Sequence, residues 1–185
     1  MSDAERRKLL DSLDAYRPPD PAQQALKARF AEFVAAHPDC CERSLAHGHL
    51  TGSAWLVSAD GRRALLMHHR KLDRWLQPGG HADGDFDLAG VALREAEEET
   101  GLAGLVLAEG GIFDLDRHEI PARGAEPAHW HYDLRFVVRA AGGEDFRQNA
   151  ESLALAWFDI NELAERPGLD ESLIRMARRW LGRPA

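Results

Sequence analysis

Three glutamates, Glu95, Glu98 and Glu99, fall close together in a segment whose pattern predicts a helix. Glu95 precedes Glu98 by three residues and Glu99 by four, so on a helix the three carboxylates share one flank. Each like-charged pair costs about 0.2–0.5 kcal/mol, and a carboxylate in the last turns opposes the macrodipole at about 0.3–1 kcal/mol. A divalent cation would remove both penalties, because Mg²⁺ and Mn²⁺ prefer hard oxygen ligands. The cluster predicts a metal site, although a solvated acidic face would carry the same residues.

The segment before this helix, Gln77-Pro78-Gly79-Gly80, favours the metal interpretation. We interpret its glycines as a tight turn in which backbone carbonyls can approach a metal and phosphate oxygens have room. A glycine turn followed by clustered carboxylates therefore predicts a site for a cation and a phosphate together.

The segment from Gly80 to Leu102, which covers 23 of the 185 residues, resembles the signature of the Nudix hydrolases. That signature reads Gly, five residues, Glu, seven residues, Arg-Glu, an aliphatic, any residue, Glu-Glu, any residue, Gly and an aliphatic. The positions that match it in register are Gly80, Arg94-Glu95, Glu98-Glu99 and Gly101-Leu102. A looser resemblance extends from about His49 to Glu165.

The resemblance implies a metal-dependent hydrolase that cleaves a P–O–P bond in a nucleoside diphosphate linked to another moiety, with Mg²⁺ or Mn²⁺ as cofactor. It implies that Glu98 and Glu99 bind the metal together with the Gly79 carbonyl, and that Glu95 is a further ligand or the base that activates water. The catalytic residues are then Glu95, Glu98 and Arg94. The expected substrate-binding residues are Gly80, His81, Arg70 and, from the loop before the tryptophan strand, Glu151.

Phe86 departs from the signature, because it stands where the family has its first glutamate. In the family that glutamate often steadies the signature arginine, and here either Asp85 or Asp87 could pair with Arg94 instead. The departure motivates an alternative, a non-catalytic Nudix-fold sensor that binds a nucleotide ligand. A prenyl-diphosphate isomerase is a further alternative, but it would need a reactive cysteine beside the metal.

Periodicity predicts the elements that position these residues. We expect a hairpin from His49 around Asp60-Gly61, a Gly- and Asp-rich loop before the helix, and a helix from about Asp87 to Thr100 that Gly101 caps. Its sheet-facing arc is predicted to be Ala89, Leu93, Ala96 and Thr100. Later strands are expected at 105–119, as one or two strands, then 129–140 and 154–158, with helices near 161–165 and 170–181. In the strand at 129–140, one face is expected to carry His129, His131, Asp133 and Arg135.

These elements predict an α/β fold, a Nudix-like mixed sheet sandwiched between helices, with an N-terminal helical extension. We place the extension at residues 1–45 and the hydrolase domain at 46–185. In the extension, Asp20 is expected to cap a second helix whose first position is Pro21.

Composition limits the partners. A formal net charge of −8 disfavours a long nucleic acid, so a small nucleoside diphosphate derivative is the expected partner. No apolar run reaches the roughly 18 residues of a membrane span. The adjacent pair Cys40 and Cys41 suits neither a disulfide nor a zinc site and disfavours the isomerase, so a reducing cytoplasm is the simplest location. The sequence does not decide the oligomeric state, and a homodimer is one option.

Overall fold

The computed structural model describes residues 3–124, 127–150 and 152–182. Within these ranges the helices are α1 (Asp3–Ala15), α2 (Pro21–Ala36), α3 (Leu88–Thr100), α4 (Ile160–Leu163) and α5 (Glu171–Trp180). The strands are β1 (Gly48–Val57), β2 (Arg63–His69), β3 (Arg74–Leu76), β4 (Gly79–His81), β5 (Leu105–Ile120), β6 (His129–Ala140) and β7 (Ser152–Asp159). No helix of this described part is both long and apolar enough to cross a bilayer.

The strands form one mixed sheet in the order β3-β2-β1-β6-β5, with β4 paired to β1 and β7 paired to β2. The β1–β6 pairing is parallel and runs from Gly48 opposite Trp130 to Val57 opposite Arg139, whereas the other pairings are antiparallel. The predicted hairpin of β1 and β2 and the predicted mixed sheet are confirmed. The segment around Gly110 is one strand, β5, whose register to β6 shifts at bulges.

The two faces of the sheet have different partners. Ala54 and Leu56 of β1 are buried in a core that includes residues of α1, α2 and α3, whereas Trp55 and Val57 are buried with residues of α4 and α5. A Cβ on Gly52 would meet the carbonyl of Leu88 at 2.6 Å, so this glycine lets α3 approach the sheet closely. Helices therefore cover both faces, which is the predicted sandwich.

The N-terminal helices are part of the main core. Leu13 of α1 and Phe30 of α2 have no exposed surface, and Phe33 stacks on the ring of Tyr132 from β6 with centroids 3.9 Å apart. As predicted, Asp20 caps α2 by accepting a hydrogen bond from the N–H of Gln23 at 2.8 Å. The extension thus covers one face of the sheet, and its boundary at residue 45 stays a prediction.

Helix α3 begins and ends as predicted, but its buried arc is rotated. The left-handed Gly101, with φ 64°, closes the helix and donates its N–H to the Glu97 carbonyl. Ala96 and Thr100 of the predicted arc are buried, whereas Ala89 and Leu93 are only half-buried. The arc is completed instead by Leu88, Val91, Ala92 and Glu99. The rotation follows from Gly52, whose missing side chain makes room for Leu88 and Val91.

The expected loop before α3 is wrong in part, because Gly79–His81 forms β4. Its residues Gly79, Gly80 and His81 pair with Ser53, Gly52 and Thr51 of β1. Among the described glycines, those with positive φ do not include Gly79 or Gly80, so the predicted tight turn is also wrong. The free edge of β1 offers hydrogen-bonding partners to Gly79–His81, and this pairing makes the segment a strand despite its loop-like composition.

Candidate active site

The carboxylates of α3 lie against β4. Glu99 is 6% exposed and accepts a hydrogen bond from the N–H of Gly79 at 2.9 Å. Glu95 is half-buried, and its Cδ lies 2.5 Å from the point where a Cβ on Gly80 would stand. Glu98 is exposed on the same flank. The structure therefore brings Glu95 and Glu99 against the two glycines, with Glu98 on the same flank of α3, and Gly80 allows this close approach instead of forming a turn.

The backbone of Gly79 faces the glutamates. The neighbouring Pro78 carbonyl accepts a hydrogen bond from Ala54 of β1 at 2.8 Å, whereas the Gly79 N–H bonds to Glu99. In a strand the N–H and C=O of one residue point to the same side. The Gly79 carbonyl therefore lies along the same open edge of β4 as the Glu99 carboxylate, where a cation could contact both.

Asp85 takes the position beside Arg94 that the missing signature glutamate leaves open. The Arg94 Nη1 and Asp85 Oδ2 atoms are 3.7 Å apart, and both side chains are about half-exposed. Asp87 has a different role, because it caps α3 by accepting from the N–H of Gly90 at 3.0 Å. Of the two aspartates that flank Phe86, the structure therefore pairs Asp85 with the signature arginine.

Phe86 itself packs against the core beside α1. It borders a cavity of about 350 Å³ between α1 and α3, whose walls include Leu9, Ile112 and Phe136. An ionised glutamate here would need a partner for its charge. Phe86, in place of the signature glutamate, therefore packs the signature segment against the core beside α1.

The loop before β7 packs against the end of α3. The N–H of Arg147 donates to the Thr100 carbonyl at 2.6 Å. Arg70, directly after β2, binds the same loop, because its guanidinium donates to the carbonyls of Ala150 at 3.0 Å and Ser152 at 3.1 Å. Glu151 lies outside the described residues.

His81 belongs to a group of histidines on the opposite face of the sheet. Its ring centroid is 5.0 Å from those of His49 and His131, whereas the neighbouring Gly80 faces Glu95. The Nε2 atoms of His129 and His131 are 3.3 Å apart. The sequence pattern placed His129 and His131 on one strand face but did not single out His49, although alternation along β1 puts it on this face.

The histidine group is poor in positive charge. Burial, together with the neighbouring His81 and His49, lowers the pKa of His131 to about 2. Burial likewise lowers the pKa of His81 to about 4, with Arg43 as the next cause. Both rings are therefore neutral at pH 7.

Below these histidines the same face holds a buried ionic network. Asp133 accepts hydrogen bonds from Thr51 at 3.0 Å and Ser53 at 2.7 Å. The guanidinium of Arg135 is 2.8 Å from Asp133 and 3.4 Å from Asp114. These contacts tie β1, β5 and β6 together beneath the histidines.

Arg175 of α5 completes the network by binding both carboxylate oxygens of Asp114 at 3.0 and 2.7 Å. Burial raises the pKa of Asp114 above its ordinary value, although Arg175 and Arg135 oppose the shift. For Asp116 the shift has the opposite direction. Burial raises its pKa, but Arg135, His118 and Arg175 together outweigh burial and hold the pKa below its ordinary range.

The model of the NUDIX domain matches residues 49–180, which is more than half of the chain and includes β4, α3 and both faces of the sheet. The chain belongs to the NUDIX domain family.

Two curated relatives come from Mycobacterium tuberculosis. One, provisionally named 8-oxo-dGTP diphosphatase 3, is 33% identical over 122 residues, which cover 58% of this chain and 50% of the relative. Another, provisionally named mutator protein MutT4, is 36% identical over 113 residues, which cover 61% of this chain and 41% of the relative. The chain thus spans about half the length of the curated relatives it matches.

Solved structures share the fold at low identity. An Ap4A hydrolase of C. elegans in a binary complex aligns with a TM-score of 0.55 and 18% identity, over 72% of this chain and 97% of that one. A MutT protein of Methanosarcina mazei aligns with a TM-score of 0.57 and 17% identity, over 75% and 96%. These likenesses confirm the predicted Nudix-like architecture.

Proposed function

We propose that this chain is a pyrophosphohydrolase that cleaves a P–O–P bond in a nucleoside diphosphate linked to another moiety. The observation that carries the proposal is the contact of Glu95 and Glu99 with the glycine strand β4, within the family signature. The relative that is named for 8-oxo-dGTP supports it, because that nucleotide contains phosphoanhydride bonds.

We infer that Glu98, Glu99 and the Gly79 carbonyl hold a divalent cation, Mg²⁺ or Mn²⁺, with Glu95 as a further ligand or as the base. The donor set fits such an ion, because every donor is a hard oxygen. When bound, the cation supplies positive charge that stabilises the phosphoryl oxygens and makes a bound water more acidic.

The side chains around the carboxylates have separate proposed tasks. Glu95 is half-buried, and its carboxylate is proposed to take a proton from the attacking water. Arg94, beside Asp85, is proposed to position the neighbouring Glu95. Gly80, which lies against the Glu95 carboxylate, is proposed to lie beside the substrate phosphates. Arg70 holds the loop at the end of α3, and its contact with a substrate phosphate is part of the same proposal.

Glu151 and His81 complete the proposed substrate contacts. Arg70 binds the carbonyls of Ala150 and Ser152, the described neighbours of Glu151 in the chain, and Arg147 of the same loop binds the end of α3. His81 stands directly after Gly80 but turns its ring to the other face, so it would meet a part of the substrate that reaches across β4.

A panel of nucleoside diphosphate derivatives and triphosphates, assayed with Mg²⁺, with Mn²⁺ and with EDTA, tests the proposal. We expect phosphorylated products only with metal, and a loss of about 100-fold or more in kcat for Glu98→Gln. Glu97→Gln is the matched control, because Glu97 is an exposed glutamate on the same helix whose loss should leave turnover unchanged. Equal turnover of wild type and Glu98→Gln would show that the site is misplaced.

A nucleotide-binding sensor is the second candidate, and Phe86 with its adjoining cavity is the observation that favours it. Calorimetry on the same panel separates the two, because a sensor binds a nucleotide in the presence of metal without releasing product. The Asp85–Arg94 pair favours the hydrolase, since it restores a carboxylate beside the signature arginine.

A further inference from the structure

Three histidines converge on the sheet face opposite α3. The parallel pairing sets His49 of β1 directly across from His131 of β6, and His129 lies two residues earlier on the same face. One ring nitrogen from each of the three lies within 4.8 Å of the others. His49 and His129 are buried and His131 is half-buried, so the three rings meet inside the protein.

The spacing of two of these nitrogens already suits a shared ion. The Nε2 atoms of His129 and His131 are 3.3 Å apart. Two imidazoles on one tetrahedral zinc, each with a Zn–N bond of about 2.0–2.1 Å, place their nitrogens about 3.3–3.4 Å apart. Strand β6, which carries both histidines, therefore holds this pair of nitrogens at hydrogen-bond distance, which is also the edge length of a tetrahedral site.

The tautomer of His129 also suits a ligand. Its Nδ1 is 3.0 Å from the carbonyl oxygen of Pro127. Because a carbonyl can only accept, Nδ1 carries the proton, and the neutral ring then has its lone pair on Nε2, the atom that faces His131. Metal-binding histidines usually donate their second N–H in this way, to a carbonyl or a carboxylate.

We propose that His49, His129 and His131 bind one zinc-type divalent ion in a site that is separate from the α3 carboxylates. An all-imidazole set selects zinc and its late transition-metal neighbours over Mg²⁺, which requires oxygen ligands. Three protein ligands leave the fourth tetrahedral position for water, a substrate oxygen or the adjacent ring of His81. The glutamate site and this one lie on opposite faces of β4, at the consecutive residues Gly80 and His81.

Zinc stoichiometry and affinity test this assignment on the full chain, prepared without a histidine tag and stripped of metal. We expect one equivalent of Zn²⁺ to bind in competition with a chromophoric chelator, and Glu98→Gln to retain it. His131→Gln should weaken the affinity by roughly 10–100-fold or more. The matched control is His68→Gln, which removes a histidine from β2 and should leave the affinity unchanged.

Cobalt substitution gives a readout that depends on no variant. We expect Co²⁺ bound to the wild-type chain to show the intense visible bands of tetrahedral nitrogen ligation, and thermal unfolding of the metal-free variants to verify their fold. A weak octahedral spectrum would overturn the assignment. Equal zinc affinity of wild type and His131→Gln, or loss of zinc in Glu98→Gln alone, would overturn it as well.

Discussion

Gly80 shapes the candidate active site through the side chain that it lacks. Any larger residue would place its Cβ 2.5 Å from the Glu95 carboxyl carbon, well inside van der Waals contact. Since α3 is fixed by its buried arc, the carboxylate and not the helix would have to give way. This glycine therefore sets the position of Glu95 by close packing and not by an unusual backbone conformation.

Gly80→Ala should abolish most of the proposed activity while the fold is retained. A displacement of about 1 Å in a catalytic group can cost about 100-fold in rate, and we expect a loss of that order in kcat/KM. Gly90→Ala is the control on α3, where the nearest atoms belong to the end of the Asp87 side chain. Steady-state kinetics and circular dichroism of both variants check this, and full activity in Gly80→Ala would contradict it.

The residues of the candidate site differ in how far the sequence reveals them. Glu95, Glu98 and Glu99 were predictable as a cluster because a helix brings residues three and four apart together. The pairing of Asp85 and not Asp87 with Arg94 depends on the cap that Asp87 forms, which spacing alone leaves open.

At the scale of elements, α3 and the hairpin were predictable because their signals are local. Alternation marks the strands, and the left-handed Gly101 marks the end of the helix. By contrast β4 is a strand only because β1 offers it a free edge, which no pattern within Gly79–His81 records. The buried arc of α3 was offset for a similar reason, since the missing side chain of Gly52 on another element determines how the helix sits.

Helix α1 is expected to stabilise the whole domain. Leu13→Ala should lower the free energy of unfolding by about 2–5 kcal/mol, because its side chain is fully buried against the core shared with α3. Leu72→Ala is the control, since Leu72 is 46% exposed and its loss should cost less than about 0.5 kcal/mol. Urea unfolding measures both. A separate early transition in Leu13→Ala would instead make the extension an independent unit.

At the scale of the whole molecule, the ionic network joins α5 to the centre of the sheet. Asp114 has no exposed surface and depends on Arg175 and Arg135 for its charge partners. Loss of one member of such a network lowers the free energy of unfolding, because the remaining buried charge is left without a partner.

Arg175→Gln should destabilise the protein by roughly 3 kcal/mol at pH 7. This destabilisation should become smaller as pH falls towards 4, because the pKa of Asp114 is already raised by burial and rises further without Arg175. When the pKa of a carboxyl is higher in the folded than in the unfolded protein, ionisation of that carboxyl destabilises the fold. The destabilisation is present at high pH and disappears at low pH, where the carboxyl is protonated. Urea unfolding at both pH values, with the exposed Arg7→Gln as control, measures the difference, and an equal loss at both would refute this cause.

The parallel pairing of β1 with β6 has a consequence for the order in which the molecule assembles. It joins Gly48 to Trp130, about eighty residues further along the chain, whereas the bond from Gly79 to Glu99 closes a span of only 20 residues. Closing the longer span costs about 1.2 kcal/mol more in chain entropy, since each doubling costs about 0.6 kcal/mol. During synthesis the glutamates can meet their glycines while β6 is still unmade, whereas the histidines can meet only after about the first two thirds of the chain has been produced.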